Sequence, residues 1–205
     1  MRSILWNAFR RNGREQCERA ILRRGRENAR RGGMAMNREL FSSTGVQMLD
    51  LMLCKKLEEC RNQCIEMDIF VYAAIDKKMR ILGITNQELL RLFGDLIRNA
   101  MRAVIKAADT QRDILIMITY NSEGDLEFQI YDNGVPFPRS VLSHLGERGN
   151  KEAGTGNGLA DMMEILNRVK ASLEITTMES KNDIFTKKIC ICFDGKAIRN
   201  LHIYY

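Results

Sequence analysis

The sequence predicts an α+β fold, a two-layer α/β sandwich in which one mixed sheet is covered by helices on one face, preceded by a helical N-terminal segment. Three observations predict it. A long amphipathic helix opens at Thr85-Asn86-Gln87-Glu88, an N-cap with a glutamate three residues on, and runs to about Ala108. Its Leu89, Leu92, Phe93, Leu96, Ile97, Ala100 and Val104 recur in helical phase and make a broad apolar face. Two alternating stretches, Ile114 to Tyr120 and Leu126 to Tyr131, flank Asn121-Ser122-Glu123-Gly124 and read as an antiparallel hairpin. A second helix from Leu159 to Val169 precedes strands at about 172–178, 184–193 and 198–204. Helices and strands mixed in this way pack as a sheet with a helical layer.

The remaining elements follow in chain order. Residues 1–40 place Ile4, Leu5, Ala8 and Phe9, then Cys17, Ala20, Ile21 and Leu22, at helical spacing among arginines, with Gly13 and Gly25 weakening the pattern. Gly32-Gly33 marks a break. After Ser42-Ser43-Thr44-Gly45, the residues Val46, Leu49, Leu53 and Leu57 predict an amphipathic helix reaching about Cys64. Met67 to Tyr72 reads as a strand. The expected division is a basic helical segment at 1–40, a connecting helix at 41–66 and the main α/β domain at 67–205.

Composition limits the classes of function. A chain of 205 residues buries a core without disulfides or metal. Cys17, Cys54, Cys60, Cys64, Cys190 and Cys192 contain no Cys-x-x-Cys pair, and the two histidines, His144 and His202, give no zinc spacing. The cysteines therefore read as reduced structural thiols of a cytoplasmic protein. No window approaches the run of about 18 apolar residues that crosses a bilayer. The net charge of +6 is uneven: residues 1–39 hold eleven arginines against four glutamates, and the rest is close to neutral. Without a reading motif, this basic arm predicts a solvated or coiled helix face rather than sequence-specific nucleic-acid binding.

Three pieces carry chemistry. Asp95, Asn99 and Arg102 are spaced by four and three, so they share a stripe beside the buried face of the long helix. Asp132-Asn133-Gly134 ends the second hairpin strand, where a carboxylate can accept a hydrogen bond from an amine. Gly154-Thr155-Gly156-Asn157-Gly158-Leu159 opens the later helix, offering backbone amides and a positive dipole end to phosphate. The charged, glycine-bearing residues 137–155 between them suit a lid.

The order and spacing of these pieces resemble the Bergerat ATP-binding pattern of the GHKL superfamily, named for gyrase, Hsp90, histidine kinases and MutL. The resemblance covers residues 45 to 205 and is strongest to sensor histidine kinases of the peptide-pheromone-receptor type found in clostridia. It rests on Thr44 to Asp50 with Lys55, Asp95 to Ala100, Asp132 to Phe137, and Phe185 to Ile189 leading to Phe193-Asp194-Gly195. It implies ATP and Mg2+ as cofactors, Asn99 as metal ligand and Arg102 facing phosphate. Asp132 then selects adenine, with Gly134 giving the base room. Gly154, Thr155, Gly156, Asn157, Gly158 and Leu159 form the phosphate hinge. Asp95 is either a general base or a residue behind the metal. Replacing Asp132 or Asn99 by alanine is expected to abolish magnesium-ATP binding with little effect on folding.

Two departures bear on activity. Pro136 replaces the second glycine of the usual adenine box, and residues 1–66 contain no histidine. The late Gly-Thr box of ordinary kinases is also missing near Asn182-Asp183, which leaves one contact on the adenine side unassigned. The resemblance implies transfer of the ATP γ-phosphate to a histidine not present in residues 1–66, a response regulator or other phosphoacceptor as partner, and homodimerisation through the N-terminal helices. A serine/threonine kinase of anti-sigma type and a nucleotide-gated binding module without turnover stay open beside it.

Overall fold

The first described residues wrap around one carboxylate. Asp50 Oδ1 accepts from the Thr44 amide at 2.9 Å and its hydroxyl at 2.7 Å, while Oδ2 accepts from the Ser43 hydroxyl at 2.6 Å. These bonds fix the entry to α1 (Gln47–Asn62), whose Leu49, Leu53, Leu57 and Cys60 fall on one face and are buried. Burial pushes the Cys60 thiol up to about 12, so this cysteine packs and does not react. The computed structural model describes residues 41–107, 111–137, 158–178, 184–195 and 201–204. The expectations for residues 1–40, for the polar stretch 138–157 and for Gly154, Thr155, Gly156 and Asn157 lie outside the described residues.

β1 (Glu66–Val71) leads to α2 (Asp76–Ile81), a helix too short for periodicity to reveal. Its end is set by Gly83, at φ 64°, with the Gly83 amide on the Arg80 carbonyl at 3.1 Å and the Ile84 amide on the Met79 carbonyl at 3.0 Å. The same closure stops α1 at Cys64, at φ 55°, and α4 (Gly158–Val169) at Lys170, at φ 53°. It ends α1 two residues before Cys64, the expected limit, because a non-glycine side chain there accepts the left-handed turn.

α3 (Asn86–Lys106) begins as expected. The Glu88 amide donates to Thr85 Oγ1 at 3.2 Å, and Glu88 Oε2 accepts from the Thr85 amide at 2.9 Å. Leu89, Leu92, Phe93, Leu96, Ile97, Ala100 and Val104 are all buried, each large one contributing about 1.5–3 kcal/mol relative to exposure.

The sheet is mixed. β2 (Asp113–Tyr120), β3 (Leu126–Asp132), β4 (Ser172–Thr177), β5 (Lys187–Phe193) and β6 (Leu201–Tyr204) join β1 in the order β1-β2-β3-β5-β4-β6. The outer pairs β1 with β2 and β4 with β6 are parallel, and the inner pairs are antiparallel. β5 starts three residues later than its apolar pattern suggests, because residues 184–186 bend before the ladder begins.

Stacking of Phe93 on Phe128, with centroids 3.8 Å apart, seats α3 on β3. α4 lies against α3 and is tied to it at both ends. Asp161 in its first turn pairs with Arg91, and Arg168 in its last turn reaches Glu88 Oε1 at 2.7 Å and the Gly83 carbonyl at 3.2 Å. The expected fold class, a helical layer on one mixed sheet, is the fold observed.

Glu88 thus closes the helix cap and receives Arg168. The Thr85 backbone bond first, then the Thr85 and Arg168 side chains, hold its carboxyl below the usual glutamate range. A lowered acid stabilises the native state above that range, and the contribution is lost as pH falls through it. Glu88→Gln should therefore cost about 1 kcal/mol at neutral pH, with the gap to wild type closing in acid; urea melts at both pH values check this.

Candidate functional site

The stripe predicted on α3 is present. Asp95 and Asn99 are half-buried beside the apolar face, and Arg102, further along, is exposed. Asp95 Oδ1 holds Arg98 Nη2 at 3.2 Å. An exposed pair within one helix is worth only about 0.3–0.5 kcal/mol, so the carboxylate is free to change partner.

β3 contributes the residue with the most unusual surroundings. Its inward positions run Leu126, Phe128, Ile130 and then Asp132, which places a carboxylate at a core position with 0% exposure. Lys187 stands directly across in the β3–β5 register, its Nζ 2.8 Å from Asp132 Oδ1. The same ammonium donates to the Val135 carbonyl at 2.7 Å and lies 5.2 Å from the centre of the Phe137 ring. The Gly134 amide donates to the same Oδ1 at 3.0 Å. Burial pushes the Asp132 carboxyl above the ordinary aspartate value, and the Lys187 ammonium and Gly134 amide pull it back. Oδ2, in contrast, is buried with no partner among the described residues. An unsatisfied buried acceptor costs about 1–3 kcal/mol, so the corner is built to receive a donor from elsewhere.

The loop after Asp132 is held against α3. The Val135 amide donates to the Ala103 carbonyl at 3.1 Å, and Ala103 is one turn beyond Asn99. A Cβ on Gly134 would stand 2.3 Å from the Ala103 carbonyl carbon and 2.4 Å from the Val104 nitrogen. These are backbone atoms and cannot rotate away. The glycine is therefore required for close approach of loop to helix, a constraint that the sequence alone did not display. Asn133 closes the other side, its Oδ1 accepting from the Asp113 amide at 2.9 Å.

β5 completes the corner. The Thr186 hydroxyl lies 2.6 Å from the Gly134 carbonyl and 3.2 Å from that of Asp132, and the Thr186 amide donates to the Asp132 carbonyl at 2.9 Å. Thr186 and Lys187 belong to the Phe185 to Ile189 stretch that carries the family resemblance, but the sequence assigned neither a place in the site. The signal for Lys187 was parity: it alternates with Ile189, Ile191 and Phe193, so a charge stands in the inward phase of an apolar strand. Of the predicted hinge, Gly158 opens α4 and Leu159 lies in its first turn.

The family model described as histidine kinase-, DNA gyrase B-, and HSP90-like ATPase matches residues 85–192, more than half of the chain. The chain belongs to this family. Among solved structures, the ATPase-family domain is similar to the mycobacterial sensor histidine kinase MprB at 17% identity, with a TM-score of 0.52 over 71% of this chain and 92% of that one. It is also similar to the catalytic domain of histidine kinase ThkA at 12% identity, with a TM-score of 0.51 over 76% of this chain and 93% of that one. At such identities the likeness is one of fold. A search of curated proteins by sequence returns no match. Among the described residues of the domain, no helix is long and apolar enough to cross a membrane.

The Asp132–Lys187 pair overturns the expectation that Asp132→Ala leaves folding nearly untouched. Removing one partner of a buried ion pair leaves the other charge uncompensated, at about 3–5 kcal/mol. Asp132→Ala should lower the unfolding free energy by that amount in urea melts. The double variant with Lys187→Met should recover most of the loss; equal destabilisation in both would mean that the pair does not couple.

Proposed function

We propose that this domain is the ATP-binding catalytic region of a sensor histidine kinase of the peptide-pheromone-receptor type. The observation that carries the reading is the free Asp132 Oδ2, a buried acceptor beside a loop fixed to the helix that bears Asn99. The 6-amino group of adenine is a donor of the right kind for it. Thr186, close to the same loop, fills the edge for which the sequence offered no residue.

From there the roles follow the α3 stripe. Asn99 presents a neutral amide oxygen for Mg2+ without adding negative charge near a triphosphate. The metal, when bound, offsets charge on the phosphates. Arg102, exposed three residues on, faces the same negative charge. Asp95 is either a base or a group that orients the metal's surroundings. Gly158 and Leu159 place the start of α4 where its dipole favours phosphate, with Gly154, Thr155, Gly156 and Asn157 continuing the hinge.

The γ-phosphoryl group passes to an imidazole nitrogen of a histidine outside residues 1–66, and ADP leaves. A response regulator is the expected downstream acceptor. Residues 1–40 are read as a basic helical segment, a remnant of dimerisation helices, 41–66 as the connecting helix and 67–205 as the ATP-binding domain, working in the cytoplasm. One observation favours a second reading: with no histidine in residues 1–66, the acceptor can instead be a serine or threonine of a partner, as in kinases of anti-sigma type.

Asn99→Ala should weaken magnesium-ATP binding at least tenfold, about 1.4 kcal/mol, while unfolding shifts by no more than about 0.5 kcal/mol because Asn99 is only half-buried. Calorimetric titration reads the first and urea melts the second. Incubation with labelled ATP and a kinase chain whose own ATP site is inactivated then tests transfer. Acid-labile, base-stable label supports the histidine reading, acid-stable label replaces it with the serine/threonine reading, and binding without transfer leaves a nucleotide-gated module.

A further inference from the structure

We infer that Lys187 is the residue that sets nucleobase selectivity, by keeping the buried face of Asp132 a hydrogen-bond acceptor and so admitting 6-amino purines over 6-oxo purines. The inference rests on the nucleotide reading above and goes beyond it, because Lys187 acts on Asp132 and does not touch the base.

Its geometry supports the assignment. Lys187 is 3% exposed and spends its donors inside the protein: on Asp132 Oδ1 at 2.8 Å, on the Val135 carbonyl at 2.7 Å and over the Phe137 ring. Among the described residues, Lys187 Nζ and the Gly134 amide both meet the Asp132 carboxylate at Oδ1, and Oδ2 is left open and buried. The carboxylate is therefore oriented as well as charged. An ionised Oδ2 accepts from the 6-amino group of adenine. Opposite the 6-oxo group of a hypoxanthine or guanine base it sets acceptor against acceptor.

Without the ammonium, that preference has no support. The elements around Asp132 offer little other charge: its neighbour on β2 is Ile114, and α3 meets the loop with the backbone of Ala103 and Val104. Asp113, next along β2, is bonded to Gln111 Nε2 at 2.7 Å and receives the Asn133 side chain. Arg102 and Lys106 on α3 are exposed. Lys187 is the charged group that the Asp132 carboxyl feels, and burial alone drives the carboxyl upward. A protonated Asp132 presents a hydroxyl donor in place of an acceptor, which suits the 6-oxo group and not the amine.

The experiment compares magnesium-ATP with magnesium-ITP, which differ at the 6-position and in the protonation of N1, by calorimetric titration across pH 6 to 9. Wild type should prefer ATP throughout. In Lys187→Met the ATP/ITP affinity ratio should fall at least tenfold at neutral pH and climb back as pH rises and Asp132 ionises. Such a pH profile would not arise from loosened packing. Lys187→Gln, which keeps a neutral donor to Oδ1, serves if the methionine variant does not fold, and should show the same trend. A variant that folds and keeps the wild-type ratio at every pH overturns the inference. Failure of wild type to bind either nucleotide would instead sink the nucleotide reading and this inference with it.

Discussion

A carboxylate placed at the end of a core strand governs the arrangement around it. Asp132 occupies an inward position of β3, where an isolated charge costs several kcal/mol, and the fold answers with Lys187 from the neighbouring strand and the Gly134 amide from its own loop. Both act on one oxygen. The second oxygen is buried without a partner, which a purely structural ion pair would not need. The pair itself contributes little net stability, since apolar residues of the same volume fill a core as well; what it provides is an oriented acceptor.

The rest of the domain keeps that acceptor beside α3. Phe93 on Phe128 fixes the early part of the helix to β3, and Gly134 against Ala103 fixes the later part to the loop. Asn99 lies between them on α3. At the other side, the Arg91–Asp161 and Arg168–Glu88 pairs hold α4, and with it the helix start at Gly158, against the beginning of α3. The Asp132 corner and the start of α4 are thereby referred to the same helix, as the proposed nucleotide site requires.

Much of this was legible in the residues. The long period-3.6 pattern with its Thr85–Glu88 cap gave α3, and alternation gave β2 and β3, because those elements are amphipathic and end at capping or turn residues. α2 was not legible, since six residues hold fewer than two turns. The ends of α1 and α4 were blurred because Cys64 and Lys170, not glycines, take the left-handed turn. At the candidate site, spacing singled out Asp95, Asn99 and Asp132. It did not single out Lys187, whose place depends on cross-strand register with Asp132, or the constraint on Gly134 that comes from the helix behind it. Pairing and close approach are properties of two segments at once, and no single stretch of sequence displays them.

The most direct measurement is a crystal structure of the chain with Mg2+ and a non-hydrolysable ATP analogue. The account predicts the 6-amino nitrogen about 2.7–3.2 Å from Asp132 Oδ2, with Lys187 still on Oδ1 and the phosphates running toward Asn99. A base seated elsewhere, or Lys187 turned away from Asp132 to bind phosphate, would contradict it.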